Sequence, residues 1–409
     1  MRIPRRYPFY ICVSVALVLF AGCATPMLEA APPDPSTTPS LPTSSPTATL
    51  ITPRLPSEFV IPTPVPLPVS SPEAQGMDSA TLTALFDYID QTGVDMHSLL
   101  VMRHGTVVLE AYFFPYRQSS LHGLASCTKS FSSALIGIAI DEGFIEGVDV
   151  PVAELIPDYD WAEDDPRKQT MTLEHLLLMT SGLDWPEASY SYTSPANPLL
   201  EMFESEDWVQ FTLQRPLVMD PGTAFNYNSG VSHLLTMALE EATGMRADDF
   251  AREYLFDPLG AYIVYWTGDP QGHTFGAGGL NLTTQDMARF GQLYLQGGVW
   301  EGEQIVPADW VATSTTRQVA STGPASGYGY QWWVRPDRVY GAFGYRGQRI
   351  FVVPDLDMVV VFTADLAGSA PSYILNNYVM PAAISTEPLQ EHAEAWQALE
   401  ARIEQVSEP

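Results

Sequence analysis

Strand-like segments frame both ends of the apolar part of this chain, and helix-like segments fill the stretch between them. Toward the start, the runs Ser98–Met102 and Val107–Phe113 flank the turn pair His104-Gly105 and read as a hairpin. Toward the end, Tyr328–Val334, Val339–Phe343, Gln348–Val353 and Met358–Thr363 read as strands, with Pro354-Asp355-Leu356-Asp357 turning between the last two. One sheet must then be completed by segments far apart along the chain, and whatever lies between them is an insert. That is an α+β architecture.

The insert and its flanks carry helical signals. Leu82, Leu85, Phe86 and Ile89 follow i, i+3, i+4, i+7, which predicts an amphipathic helix after Asp78. Thr172–Met179 ends at Ser181-Gly182, and Ser232–Thr243 is stopped by Gly244. Thr283, with Asp286 three residues on, fits a capping box ahead of Met287, Phe290, Leu293 and Leu295. In the acidic tail, 384–409, Trp396, Leu399, Ile403 and Val406 share one helical stripe. That stripe either packs on its own domain or meets a partner.

Ahead of this lie two segments of different character. Residues 1–23 read as an export signal: Arg2, Arg5 and Arg6 precede an apolar run from Phe9 to Phe20, too short for a membrane span. Phe20-Ala21-Gly22-Cys23 resembles a bacterial lipoprotein cleavage box with phenylalanine in place of the usual leucine, so Cys23 is the expected lipidation site. Its lipid would be the chain's only membrane contact. Residues 24–72 hold fourteen of the 35 prolines and fifteen Ser or Thr, the composition of a tether without a core. Folded sequence is expected from about Ser71. With Cys12 gone in the signal and Cys23 acylated, Cys127 is the remaining thiol and reads as a small buried filler.

The formal net charge of −29 repels nucleic acid and anionic headgroups, which removes both as partners. The seven histidines are scattered, with no pair at metal-ligand spacing. His175 reads as a core histidine. No G-x-S-x-G elbow, phosphate loop or dinucleotide fingerprint is present.

What remains is a serine with a scarce cation. The chain has two lysines, and one closes Ser126-Cys127-Thr128-Lys129 at the head of the apolar helical stretch Phe131, Ala134, Leu135, Ile138. Positions i and i+3 share a helix face, so hydroxyl and amine can meet across one turn. That is the minimum geometry for a serine nucleophile activated by lysine. Alone, such a motif recurs by chance. About a hundred residues later, Pro221-Gly222 leads into Tyr227-Asn228-Ser229-Gly230. Tyr227 is placed either to face Ser126, where a neighbouring ammonium would favour its phenolate, or to pack. Phe343-Gly344-Tyr345-Arg346-Gly347-Gln348 opens a strand, and the Gln348 N–H could join that of Ser126 as an oxyanion hole. The alternative is a plain glycine-containing hairpin. Trp185–Leu199 and Tyr262–Phe275 are irregular segments suited to pocket walls, and Trp185, Trp332 and Trp333 either line the cleft or pack.

The ordered set Ser126-x-x-Lys129, Tyr227-Asn228-Ser229 and Tyr345-Arg346-Gly347 resembles the serine hydrolases related to class C β-lactamases and penicillin-binding proteins. So do Thr172-Leu173-Glu174-His175-Leu176-Leu177, Thr180-Ser181-Gly182-Leu183 and the stretch from Gly276 to Gly291. The resemblance spans residues 73–383. It implies an antiparallel sheet flanked by helices with a mostly helical inserted subdomain, and a site at their junction. It further implies Ser126 as acylated nucleophile, Lys129 as its activator, Tyr227 as general acid/base, and the N–H groups of Ser126 and Gln348 as oxyanion donors, with no metal or organic cofactor. Ser229 stands where the second motif usually has asparagine, a form similar to the esterase and 6-aminohexanoate-dimer hydrolase branch. Tyr345 stands where the third motif usually has lysine or histidine, which leaves Arg346 to meet a substrate carboxylate. The expected activity is hydrolysis of a small ester, amide or peptide-like substrate. A D-alanyl peptidase or β-lactamase is the alternative within the fold, and a silent surface-tethered binding module is the alternative outside it.

Overall fold

The computed structural model describes residues 65–159, 161, 165–262, 264–366 and 369–409. The export signal, Cys23 and most of the proline-rich segment lie outside the described residues.

Among the described residues the main sheet has eight antiparallel strands, which we number in chain order. They are β1 (Met96–Arg103), β2 (Thr106–Tyr112), β3 (Val319–Ala320), β4 (Gly327–Tyr328), β5 (Trp333–Val334), β6 (Tyr340–Phe343), β7 (Arg349–Val353) and β8 (Met358–Ala364). Their spatial order is β2-β1-β8-β7-β6-β5-β4-β3, so the two ends of the domain interleave as the sequence pattern requires. The centre is the pair β1–β8, with Leu99 opposite Phe362 and Val101 opposite Val360. All seven residues of β8 are buried. An apolar run without alternation is what a strand covered on both faces demands. The β1–β2 turn is made by His104 (φ 50°) and Gly105 (φ 71°), the doubly left-handed pair that matches strand twist in a two-residue hairpin.

One expected strand is two. Tyr328–Val334 breaks at a tight turn, with Gln331 at φ 64° and Trp333 folding back opposite Tyr328. The segment reads locally as one strand, but Gln331 is a buried amide that needs partners. Its Nε2 donates to the Leu176 and Leu177 carbonyls at 3.0 Å, and its Oε1 accepts from Ser232 at 2.9 Å. Those bonds pull the chain out of the sheet toward the helical part.

Five longer helices matter here: α1 (Ser79–Thr92), α2 (Thr128–Asp141), α3 (Ser229–Thr243), α4 (Thr284–Leu295) and α5 (Ala393–Ser407). Helix α2 is buried along almost its whole length, between the sheet and the helical part. It stacks Phe131 on Phe290 of α4 with ring centroids 3.7 Å apart, and α4 in turn lies across β7, β8 and β1. Thr283 caps α4 by accepting from the Asp286 N–H at 3.1 Å, while the Asp286 carboxylate takes the Thr283 hydroxyl proton and not its backbone N–H. Among the described residues no helix is long and apolar enough to cross a membrane.

Ordered packing starts earlier than Ser71. Leu67 is buried, the Ser70 N–H donates to the Val107 carbonyl at 3.1 Å, and the Val107 N–H donates to Pro68 at 2.8 Å. Prolines can still offer carbonyls to a sheet edge, so a proline-rich strip serves as a partial edge strand. The C-terminal stripe packs on its own domain. Leu399 is fully buried against the core, and Arg402 bridges Asp87 and Asp90 of α1 at 2.8 and 2.6 Å. Leu399→Ala should therefore lower unfolding stability by about 2–5 kcal/mol, read as a lower urea midpoint at an unchanged slope.

Candidate active site

Ser126 sits in a single 3₁₀ turn, Ala125–Cys127, that leads into α2. The turn is anchored by the Leu124 N–H on the Leu280 carbonyl at 2.8 Å, and it begins with Ala125 in the left-handed region (φ 46°). Backbone strain of this kind persists where surrounding structure holds it. Ser126 is partly exposed, and one turn on Lys129 is 1 % exposed. The Lys129 Nζ lies 3.1 Å from three oxygens: Ser126 Oγ, Ser229 Oγ and the Ala277 carbonyl. Burial pulls its pKa down to about 8, while the negative charge of Glu187 acts in the opposite sense.

Tyr227 converges on the same point. Its ring lies 5.0 Å from the Lys129 Nζ and stacks on Trp333 with centroids 5.5 Å apart. The expected drift toward phenolate is reversed. Burial, then the charge of Glu187, raises the phenol pKa, and the lowering influence of Ser126 is smaller. Both raising influences favour the protonated phenol.

Glu187 was not foreseen. It is fully buried and accepts four hydrogen bonds. Trp185 Nε1 and the Ser229 N–H reach one oxygen at 2.7 and 2.9 Å; the Ser229 and Tyr192 hydroxyls reach the other at 2.8 and 2.9 Å. Two of its partners, Trp185 and Tyr192, lie within five residues, but the two Ser229 groups that tie it to the site come from a distant stretch, which no local pattern reveals. Trp185 thus supports the site from behind, Trp332 is packed in the core between Phe290 and Tyr294, and Trp333 lines the pocket. His175 caps a short helix, its Nδ1 accepting from the Thr172 N–H at 3.1 Å.

Asn228 is fully buried. Its side chain caps α3, accepting from the Val231 N–H at 3.1 Å, while Ser229, the first helical residue, turns inward to Lys129. The segment 344–348 is shaped by two glycines. A Cβ on Gly344 would come within 2.2 Å of the Leu124 carbonyl, and Gly347 has φ 99°. Tyr345 lies at the pocket against Tyr192, with centroids 4.9 Å apart. Arg346 points away and pairs with Asp365, because an exposed guanidinium finds the nearest carboxylate. The Gln348 side chain donates to the Ala364 carbonyl at 2.6 Å. Among the described residues, no backbone acceptor takes up the N–H of Ser126 or of Gln348. Arg349, which the motif reading passed over, also lines the pocket.

Ser126, Tyr227, Tyr345 and Arg349 border a cavity of about 260 Å³ that is also walled by Tyr192, Phe225, Trp333 and Phe343. Among the described residues no three His, Cys, Asp or Glu side chains are grouped to hold a metal. A partly exposed serine, a buried amine of lowered basicity and a neutral phenol can together exchange a proton with a bound carbonyl substrate.

The sequence pattern that defines the Beta-lactamase family matches residues 84–383. The chain belongs to that family. It is similar to the 6-aminohexanoate-dimer hydrolase of Paenarthrobacter ureafaciens, 28% identical over 295 residues that cover 67% of this chain and 73% of that one. Esterase EstB of Burkholderia gladioli is 24% identical over 208 residues, covering 46% of this chain and 53% of that protein. In fold the chain is similar to the octameric penicillin-binding protein homologue from Pyrococcus abyssi. That match has a TM-score of 0.59 at 20% identity and covers 75% of this chain and 77% of the other. This beta-lactamase family member is thus a hydrolase of the serine type, with esterase- and amidase-like relatives.

Cys127 has no place in that chemistry. Its thiol is buried, donates toward the Ala342 and Gln348 carbonyls at 3.2 and 3.4 Å, and has its pKa pushed up to about 12 by burial. Iodoacetamide at pH 8 should leave Cys127 unmodified in the native protein and alkylate it after unfolding, as read by peptide mass mapping.

Proposed function

We propose that the chain is an exported serine hydrolase that cleaves an ester or amide through an acyl-enzyme on Ser126. The observation that carries this reading is the 3.1 Å contact between Ser126 Oγ and a buried lysine whose pKa is lowered to about 8. In the neutral form Lys129 takes the Ser126 proton as Oγ bonds to the substrate carbonyl carbon. The carbonyl electron pair moves to oxygen, where the N–H groups of Ser126 and Gln348 receive it. On collapse the C–O or C–N bond breaks, Tyr227 gives its proton to the leaving group, and Lys129 returns the serine proton to the phenol. Water repeats the sequence on the acyl-serine, so ester and water leave as acid and alcohol. The export signal in residues 1–23 and Cys23 support a lipid-anchored location on the outer side of a membrane.

p-Nitrophenyl ester turnover tests this. Ser126→Ala should cost roughly a thousandfold or more in kcat, and Tyr227→Phe about 10²- to 10⁴-fold. Full turnover by Ser126→Ala would end the proposal. Because Lys129 must be neutral, kcat/KM should rise as pH climbs through about 8 and level off above it. The raised phenol pKa keeps Tyr227 from producing a fall at moderately alkaline pH.

Arg349 favours a narrower second reading, a substrate that carries a carboxylate, as D-alanyl peptides and β-lactams do. Its guanidinium stacks 5.0 Å from the Phe343 ring centroid and spends Nη1 on the Gly344 and Gln348 carbonyls. Among the described residues no carboxylate pairs with it, and burial lowers its pKa. A desolvated cation without a counter-ion gains most from an anionic ligand. Arg349→Met should lower kcat/KM for p-nitrophenyl hemiglutarate roughly tenfold or more while p-nitrophenyl valerate changes little. Covalent labelling by a fluorescent penicillin would favour the peptidase or β-lactamase form of this reading.

A further inference from the structure

Hydrogen-bond direction around Lys129 depends on a residue that touches neither substrate nor nucleophile. A neutral lysine has two N–H donors and one lone pair. Its three neighbours are the Ala277 carbonyl, Ser229 Oγ and Ser126 Oγ, each at 3.1 Å. A carbonyl can only accept. A serine hydroxyl can do both, but the Ser229 proton is already given to Glu187 at 2.8 Å. Ser229 therefore meets Lys129 only as an acceptor. Both lysine N–H groups are thus directed to Ala277 and Ser229, and the lone pair is left facing the one neighbour with a proton to give, Ser126.

We infer that Glu187 is a positioning residue: by fixing the Ser229 hydroxyl, it aims the lone pair of Lys129 at Ser126. The inference rests on the hydrolase reading above. Glu187 is itself held in place. Trp185 Nε1 and the Ser229 N–H, two groups that can only donate, occupy one of its oxygens, and the Tyr192 hydroxyl shares the other. The same arrangement gives serine a specific use at position 229. An asparagine amide could present its own N–H groups to the lysine, whereas a serine becomes an acceptor once a carboxylate takes its proton. The ionisable groups around Lys129 are Glu187, Cys127 and Tyr227, with Arg349 acting on Tyr227. Cys127 and Tyr227 are neutral by virtue of their raised pKa values, so Glu187 is the negative charge that acts on the lysine.

Glu187→Gln separates this role from simple packing. The two obligate donors on the first oxygen would hold the new amide carbonyl there, which puts the amide NH₂ against the Ser229 and Tyr192 hydroxyls. Ser229 would then accept from that NH₂ and turn its own proton toward Lys129, where it competes with Ser126 for the lone pair. kcat should fall roughly 10- to 100-fold, as expected for a misaligned base, with KM little changed. The acid limb of kcat/KM should also move to lower pH, because removing the negative charge depresses the lysine pKa further. Adding Ser229→Ala to Glu187→Gln removes the competing proton, and the double variant should recover part of the lost rate. An unshifted acid limb, or a double variant slower than Glu187→Gln, would overturn the inference. If Glu187→Gln does not fold, Ser229→Ala decides alone. A several-fold loss with the acid limb nearly unmoved supports the inference, and wild-type turnover refutes it. Ser126→Ala run alongside keeps the two levels apart, since activity surviving there refutes the hydrolase reading itself.

Discussion

The structure is organised around the cost of keeping an amine dry. A lysine ammonium removed from water loses several kcal/mol of hydration unless other groups replace it. Here the replacements come from three places that are distant in sequence: the turn before α2, the first residue of α3, and the carbonyl of Ala277. Each must be correct to within a fraction of an ångström, so the junction of sheet and helices is the least forgiving part of the fold. The compensation is incomplete, and the lysine is left with a pKa of about 8, poised between charged and neutral. A fully compensated ammonium would be a counter-ion and nothing more.

The rest of the pocket follows the same logic of partial compensation. Burial makes Tyr227 hold its proton more tightly, and the neighbouring carboxylate strengthens that hold. The two proton carriers are therefore driven apart in basicity by one environment, the amine toward release and the phenol toward retention. Arg349 is the counterpart on the substrate side. In a chain with a net charge of −29, a mostly buried guanidinium that has no carboxylate partner among the described residues stands against the general field of the molecule.

Much of this was legible beforehand, for physical reasons that differ from residue to residue. Ser126 and Lys129 could be paired because a helix turn is a local object and lysine is rare here. The central strands could be read because burial on both faces leaves an uninterrupted apolar run. Tyr227 needed the resemblance, since a tyrosine in a loop has no local signature of its partner. Glu187 and Arg349 left no trace, because what distinguishes them is which donors surround them and which do not. The difference at Tyr328–Val334 has the same origin: the demand of one buried amide for carbonyls on a helix outweighs the local strand pattern. Arg346 and Asn228 were assigned by motif position, and their side chains are committed to Asp365 and to a helix cap.

Strand β2 acts as a clasp. At one of its ends the Val107 N–H and carbonyl hold the incoming segment through Pro68 and Ser70, and just past the other the Phe114 N–H holds the carbonyl of Val406 in α5. The first and last stretches of the described domain thus meet on one edge strand, four strands away from β6 and the pocket-forming segment that follows it. A domain whose first and last described segments both lie along one edge strand can be joined to other segments there without crossing its own core. This hydrolase unit is in that sense a portable module, whose attachment points can be rewired while its reaction centre stays untouched.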